Sequence, residues 1–217
     1  MTHDTAKLMS AEAARVLHGL HPFAARLGSP DGLESLTPAL SALQLAPIRS
    51  ASSLRAFLHS YRDRVLLPTE LPVIQKAYML ASRGQTRELV ALDQAAPRGP
   101  VDMPFSELSA AIGRIQMSRL KPMKGNRVLS RYMEAVTRGE AKGWHTIAYG
   151  LILASFAMPL RQGLVHYSES ALHGFVESAS GLLQLSEAEQ SALTQEACLD
   201  LGPAINELLG PVCLTVA

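Results

Sequence analysis

The stretch PLRQGLVHYSESALHGFVESASGLL, residues 159–183, decides the fold class. Leu160, Leu164, Tyr167, Ala171, Phe175, Ser178 and Leu182 fall within one face when each residue turns the chain by about 100°. His166, Glu169, His173 and Glu177 fall on the opposite face. A helix this long with one apolar stripe must lie against other helices, because tertiary packing of that stripe supplies most of its stability. Outward from it the same three- and four-residue spacing recurs, and alternating β-branched runs bounded by turn residues are hard to find. The chain therefore reads as all-α: one single-domain bundle of about ten helices over residues 1–217, with residues 1–7 and 210–217 as candidate flexible tails.

The helices expected from spacing are Ala6–Gly19, a short one at Leu33–Leu43, Ser52–Val65, Glu70–Ser82, Thr86–Ala95, Pro104–Leu120, Arg127–Arg138, His145–Met158, Pro159–Leu183, Glu187–Leu199 and Pro203–Leu209. Punctuation supports the division. Pro22 follows the first helix, Pro68 and Pro72 bracket the start of the fourth, and Pro97, Pro100 and Pro104 mark a loop. Ser186 followed by Glu189 fits a capping box, in which hydroxyl and carboxylate satisfy each other's orphan backbone donors.

Composition narrows the function classes. The 217 residues are 47% hydrophobic and 18% charged, which excludes a disordered chain. Twenty Lys and Arg against nineteen Asp and Glu leave +1, so a nucleic-acid binder is disfavoured. Cys198 and Cys213 form no CxxC pair, and without a signal peptide they point to a reducing cytoplasm rather than a disulfide scaffold or thiolate zinc site. The charge-free stretch from Gly143 to Leu160 just reaches membrane-spanning length. His145, Thr146, Gly150, Ser155 and Pro159 dilute it, and it reads as a buried core helix.

Signatures of catalysis are missing: there is no phosphate loop, GxGxxG, HExxH, GxSxG elbow or EF-hand loop. In Gly28-Ser29-Pro30-Asp31-Gly32 the serine stands one place too early and follows no hydrophobic strand. His166, Glu169, His173 and Glu177 are weak metal candidates, since imidazole and carboxylate at i,i+3 and i,i+4 share an ion. The two histidines are about 10 Å apart along the helix, so one ion takes only a pair, and a plain polar face is the preferred reading. His18 and His21 read as capping or surface groups beside Pro22. Arg114, Arg119, Lys121, Lys124, Arg127, Arg131 and Arg138 form a basic run with Glu134 as its sole acid, either a solvated face or a surface for an acidic partner. Trp144 and Tyr149 read as core or interface anchors.

Several phrases, taken in order, resemble the urease accessory protein F family. Gly32-Leu33-Glu34 matches the family's Gly-Leu-Glu, and Ala51-Ser52-Ser53-Leu54-Arg55-Ala56-Phe57-Leu58 resembles its "aSLraWL" helix. Leu71-Pro72-Val73-Ile74-Gln75-Lys76-Ala77-Tyr78 is similar to "LPLLLRAY", and Leu92-Asp93 stands where the family carries Leu-Asp. Ser109-Ala110-Ala111-Ile112-Gly113-Arg114 resembles "SxxMGR", Trp144 to Gly150 resembles "HPVVFG", and Met158-Pro159-Leu160 the break before the long helix. The order holds over residues 13–190. Departures mark a divergent member: Ala25-Arg26-Leu27 replaces a Gly-Gly-Phe, Ser29-Pro30 replaces Tyr-Ser, and the "RLxPLGQT" signature survives only as Gly181 to Ser186.

The resemblance implies a cytoplasmic, homodimeric, non-enzymatic scaffold for nickel-centre maturation of urease. It would dock an accessory GTPase and a second accessory protein, reach the urease apoenzyme through that complex, and modulate GTP-dependent nickel delivery. No cofactor of its own is implied, nickel being handled by the complex. By position the partner-binding candidates are Gly32, Glu34, Ser109, Gly113, Arg114 and His145, with Arg114 and Glu34 the stronger two. Two rivals stand beside this reading: a paralogue chaperoning another client enzyme, and a small helical enzyme or ligand carrier built around His145.

Overall fold

The computed structural model describes residues 36–96, 106–120 and 126–210. Among them the chain forms ten α-helices, one π-helical segment and no strand, in agreement with the all-helical reading. The helices are α1 (Thr37–Ala42), α2 (Ala51–Tyr61), α3 (Leu71–Ser82), α4 (Thr86–Ala95), α5 (Ser106–Ser118), α6 (Arg127–Thr137), α7 (His145–Ser155), α8 (Leu160–Leu183), α9 (Glu187–Cys198) and α10 (Leu201–Leu209). The helix expected at Ala6–Gly19, the Pro97–Pro104 loop, the His18/His21 pair, Cys213, and the proposed tails apart from Gly210 lie outside the described residues.

Two compact units emerge. The first holds described residues 73–96, 106–120 and 126–160; the second holds 36–72 and 161–210. In the first, α7 packs against α5 and α4 against α6. Every residue of α7 from His145 to Leu153 is buried, which explains the charge-free stretch as core. Gly150 is required there: a Cβ on it would lie 2.5 Å from the Ile74 carbonyl oxygen and 2.8 Å from Ala77 Cβ, so α7 and α3 approach backbone to backbone. Among the described residues no helix is long and apolar enough to cross a membrane.

The second unit is organised by α8. Leu164, Tyr167, Ala171, Leu172, Phe175, Val176 and Ala179 are buried. Leu182, expected on this face, is 48% exposed, because the inward arc drifts and the last turn runs past the core. Phe175 meets Tyr61 edge-on, centroids 4.9 Å apart at 89°, and Phe57 at 5.7 Å and 61°. Such pairs add roughly 1 kcal/mol beyond the area they bury. Below them Glu70 is buried, and its Oε2 accepts hydrogen bonds from the Tyr61 hydroxyl at 2.6 Å and the Tyr167 hydroxyl at 3.0 Å.

Between α2 and α3 the sequence punctuation misleads. Val65 does not end a helix and Pro68 does not break one. Residues Arg62–Glu70 instead continue as a π-helical segment with Pro68 inside it, and the Leu71 N–H donates to the Leu66 carbonyl five residues back. The wider turn accommodates a residue that lacks an N–H, and Pro72 stands at the second position of α3, directly after that turn.

Helix α9 is fastened to α2 at its C-terminal end. Arg55 Nε donates to Glu196 Oε2 at 2.8 Å, and His59 Nε2 lies 3.1 Å from Glu196 Oε1. Arg62 Nη1 donates to the Ala197 and Leu199 carbonyls, each at 3.3 Å, placing a cation on the negative end of the helix. The Ser186–Glu189 capping box opens α9 as expected, with Glu189 N–H donating to Ser186 Oγ at 3.3 Å and Ser186 N–H to Glu189 Oε2 at 2.9 Å. A second box, with Ser53 in the place of the carboxylate, opens α2 from Ser50.

Truncating the aromatic hub should be severe. Phe175→Ala is expected to lower stability by about 3–5 kcal/mol, and Phe175→Leu by distinctly less. Urea titrations followed by circular dichroism check this, and a midpoint for Phe175→Ala equal to wild type would refute the packing role.

Candidate functional site

Four of the residues singled out by sequence, Ser109, Gly113, Arg114 and His145, meet where α5 crosses the chain leading into α7. The junction is held by Asp93, four positions after the buried Leu89 on α4. Its Oδ1 accepts from the Lys142 N–H at 2.6 Å; its Oδ2 accepts from the Gly143 N–H at 2.9 Å, the Trp144 N–H at 3.4 Å and the Tyr132 hydroxyl at 2.6 Å. Trp144 Nε1 donates to the Asp93 carbonyl at 2.9 Å. Successive backbone N–H groups at a helix start form an anion-binding concavity, and here the anion is a side chain of a neighbouring helix. Helix α7 accordingly needs no cap from its own N-cap residue, Trp144. Burial, then the neighbouring carboxylate, raises the Tyr132 hydroxyl well above its ordinary range, so it stays protonated and keeps its proton for Asp93.

Gly113 makes the crossing possible. A Cβ there would overlap the Gly143 carbonyl oxygen and lie 2.8 Å from the Trp144 carbonyl carbon and 2.9 Å from the His145 nitrogen. Gly143 sits at φ +77°, a left-handed conformation that favours glycine, with Met117 and Arg114 side-chain carbons against it. Ser109 Oγ lies 2.7 Å from His145 Nδ1 and 3.4 Å from the His145 backbone N–H. Both residues are under a tenth exposed. A hydroxyl that accepts from the backbone N–H has its proton to give to the imidazole, which holds the ring in place.

Arg114 is different. It is exposed, and its Nη1 donates to the Lys142 carbonyl at 3.3 Å, so the junction orients it from behind. Ile115 beside it is 47% exposed. Ser109, Gly113 and His145 are thus inner parts of the junction and Arg114 is its outward face. The other two candidates, Gly32 and Glu34, lie outside the described residues.

Reasoning from sequence left Asp93 and Tyr132 without a role. The available signal was an aspartate inside a helix, a poor helix former, spaced four residues from Leu89 on the inward face. The enzyme reading anticipated a cavity holding His145. One groove among the described residues of this unit is lined by Leu120, Leu129, Ser130, Met133, Glu134, Thr137 and Arg138, and His145 is not among them.

On α8, His173 Nε2 lies 4.0 Å from Glu177 Oε2 with both side chains exposed. His166 departs from the solvated face expected of it: its Nε2 is buried, with no hydrogen-bond partner among the described residues. Among the described residues no three His, Cys, Asp or Glu are grouped to hold a metal ion. Cys198 is half-buried. Desolvation, with Glu169 nearby and Arg62 opposing, pushes its thiol up to about 11.

A protein-family model described as UreF matches residues 48–197 of this chain, a span that includes the whole junction. The urease accessory protein UreF of Sporosarcina pasteurii is 21% identical over 145 residues, covering 67% of this chain and 72% of that protein.

Two outcomes follow from the geometry. Asp93→Ala should cost about 3 kcal/mol or more, since it leaves several buried donors unsatisfied, and Gly113→Ala should also destabilise by forcing backbones apart. Melting curves of both variants check this, and wild-type stability in either would disprove the junction's role. At pH 8 the peptide carrying Cys198 should be alkylated far more slowly in native than in urea-unfolded protein, as read by mass spectrometry, because its thiolate fraction is about a hundredfold below that of an ordinary thiol.

Proposed function

This chain belongs to the UreF family, and from that premise we propose that it serves urease maturation as a dimeric helical scaffold. Its role is that of a urease accessory protein and not of a catalytic subunit. In our reading it docks the accessory GTPase and a second accessory protein, and modulates GTP-dependent nickel delivery to the urease apoenzyme. The observation that carries this reading is the junction: buried groups from α4, α5, α6 and the lead-in to α7 present Arg114 and Ile115 outward on a fixed frame. A fixed arginine beside an exposed aliphatic side chain is the combination found at the centres of protein interfaces, and an ordered frame lowers the entropy lost on binding.

Regulation by such a scaffold is a matter of differential affinity. It shifts the GTPase only by binding one nucleotide state more tightly than the other. No group of the scaffold has to react.

Co-expression with the urease accessory proteins of its own source, followed by pull-down and size-exclusion light scattering, tests this. A complex containing the GTPase is expected, and Arg114→Glu should weaken it by roughly tenfold while leaving the melting temperature unchanged. A clean dimer that ignores the GTPase would move the role to a different client enzyme. Binding unchanged in Arg114→Glu would remove the junction from the interface.

A further inference from the structure

The near-zero charge of the whole chain conceals a local excess. The first unit carries nine Lys and Arg against five Asp and Glu among its described residues, whereas the second carries five against nine. Within the first unit the excess gathers around α6. Leu129, Tyr132 and Ala135 of that helix face inward. Ser130, Met133 and Thr137 line a groove of about 390 Å³ that Leu120, at the end of α5, closes on the other side. Arg127, Arg131, Glu134 and Arg138, at helical spacing, form the exposed stripe beside it.

Not all of those charges are available. Arg138 is held in a two-pronged pair with Glu140, at 2.7 and 3.1 Å, and lies 4.0 Å from Glu134. The Arg138 guanidinium holds the Glu140 carboxyl below its usual range, so both acids of this face are taken up by one arginine. Beside an apolar floor of Leu120, Leu129 and Met133 thus stand exposed Arg127 and Arg131 on the α6 stripe and exposed Arg119 next to Leu120 in the chain, none with a carboxylate partner among the described residues.

We propose that this groove docks an acidic amphipathic helix of a partner protein. Leucine-type side chains at i, i+3, i+4 and i+7 would seat on the floor, and carboxylates along the helix edges would meet Arg119, Arg127 and Arg131. The charge complementarity is specific in sign: a basic helix would meet only repulsion. The apolar floor sets this surface apart from a plain polyanion face, which needs no hydrophobic contact. The groove shares no lining residue with the Arg114 junction, and its chemistry is the same whichever protein supplies the helix.

The test uses the full chain and two fluorescein-labelled peptides, a Glu/Leu helix with leucines at that spacing and its Lys/Leu counterpart, followed by fluorescence anisotropy. Saturable binding of the Glu/Leu peptide, weakened by salt, is expected, with no binding of the Lys/Leu peptide. Arg131→Glu should weaken binding roughly tenfold and Arg131→Lys far less, while Arg83→Glu, a charge reversal at an exposed residue closing α3, should leave it unchanged. Met133→Asp should abolish it while the circular dichroism melt stays at the wild-type temperature. Equal loss in Arg83→Glu and Arg131→Glu would reduce the effect to net charge and overturn the proposal. So would undiminished binding by Met133→Asp together with competition by a poly-dT oligonucleotide, which would make the surface a simple polyanion face.

Discussion

A single carboxylate organises the first unit. Asp93 takes the N–H groups of Lys142, Gly143 and Trp144 and the Tyr132 hydroxyl into one buried cluster, and so ties α4, α6 and the start of α7 together. Burying a carboxylate is costly unless its lone pairs are filled, and here donors fill them from several directions. The crossing at Gly113, the seat of His145 on Ser109 and the orientation of Arg114 all depend on the course that Asp93 gives to residues 142–144. Reshaping that one interaction would reshape the surface that the family resemblance marks.

The second unit solves a similar problem by similar means. Glu70 is buried beneath an aromatic hub and takes its donors from two tyrosines on different elements. Each unit therefore has an acid in its interior that specifies which helices meet, whereas its apolar residues specify only that they meet. Leucines and alanines tolerate small slides of one helix on another. A short hydrogen bond to a buried carboxylate does not, because the slide leaves the acid unpaired.

Much of the fold was legible in residue spacing. The Thr86–Ala95 helix, the long α8, the Ser186–Glu189 box and the burial of the charge-free stretch follow from local rules acting alone. What escaped was set by tertiary context. Pro68 is a break signal in any short window, and only the continuation of α2 into a π-helical turn reverses its meaning. Asp93 looks like a surface acid until residues some fifty positions later wrap around it. At the junction, motif order located Ser109, Gly113, Arg114 and His145 but did not separate the buried ones from the exposed one. That distinction rests on which side of α5 meets the chain before α7.

The grip of α2 on α9 has a consequence for the order of folding. Arg55 reaches a partner 141 residues later in the chain, and Arg62 one 135 residues later. At ribosomal speeds of about 5–20 residues per second, α2 spends roughly seven to thirty seconds outside the exit tunnel before the end of α9 exists to receive it. Everything between, including every described residue of the first unit, is synthesised during that wait. The described helices of the first unit are all made once α7 is complete, while α2 and the π-helical turn after it must keep Arg55 and Arg62 solvated until α9 arrives. Nascent chains stalled before α9 are thus half-finished in one definite way, with a completed unit alongside an uncovered α2.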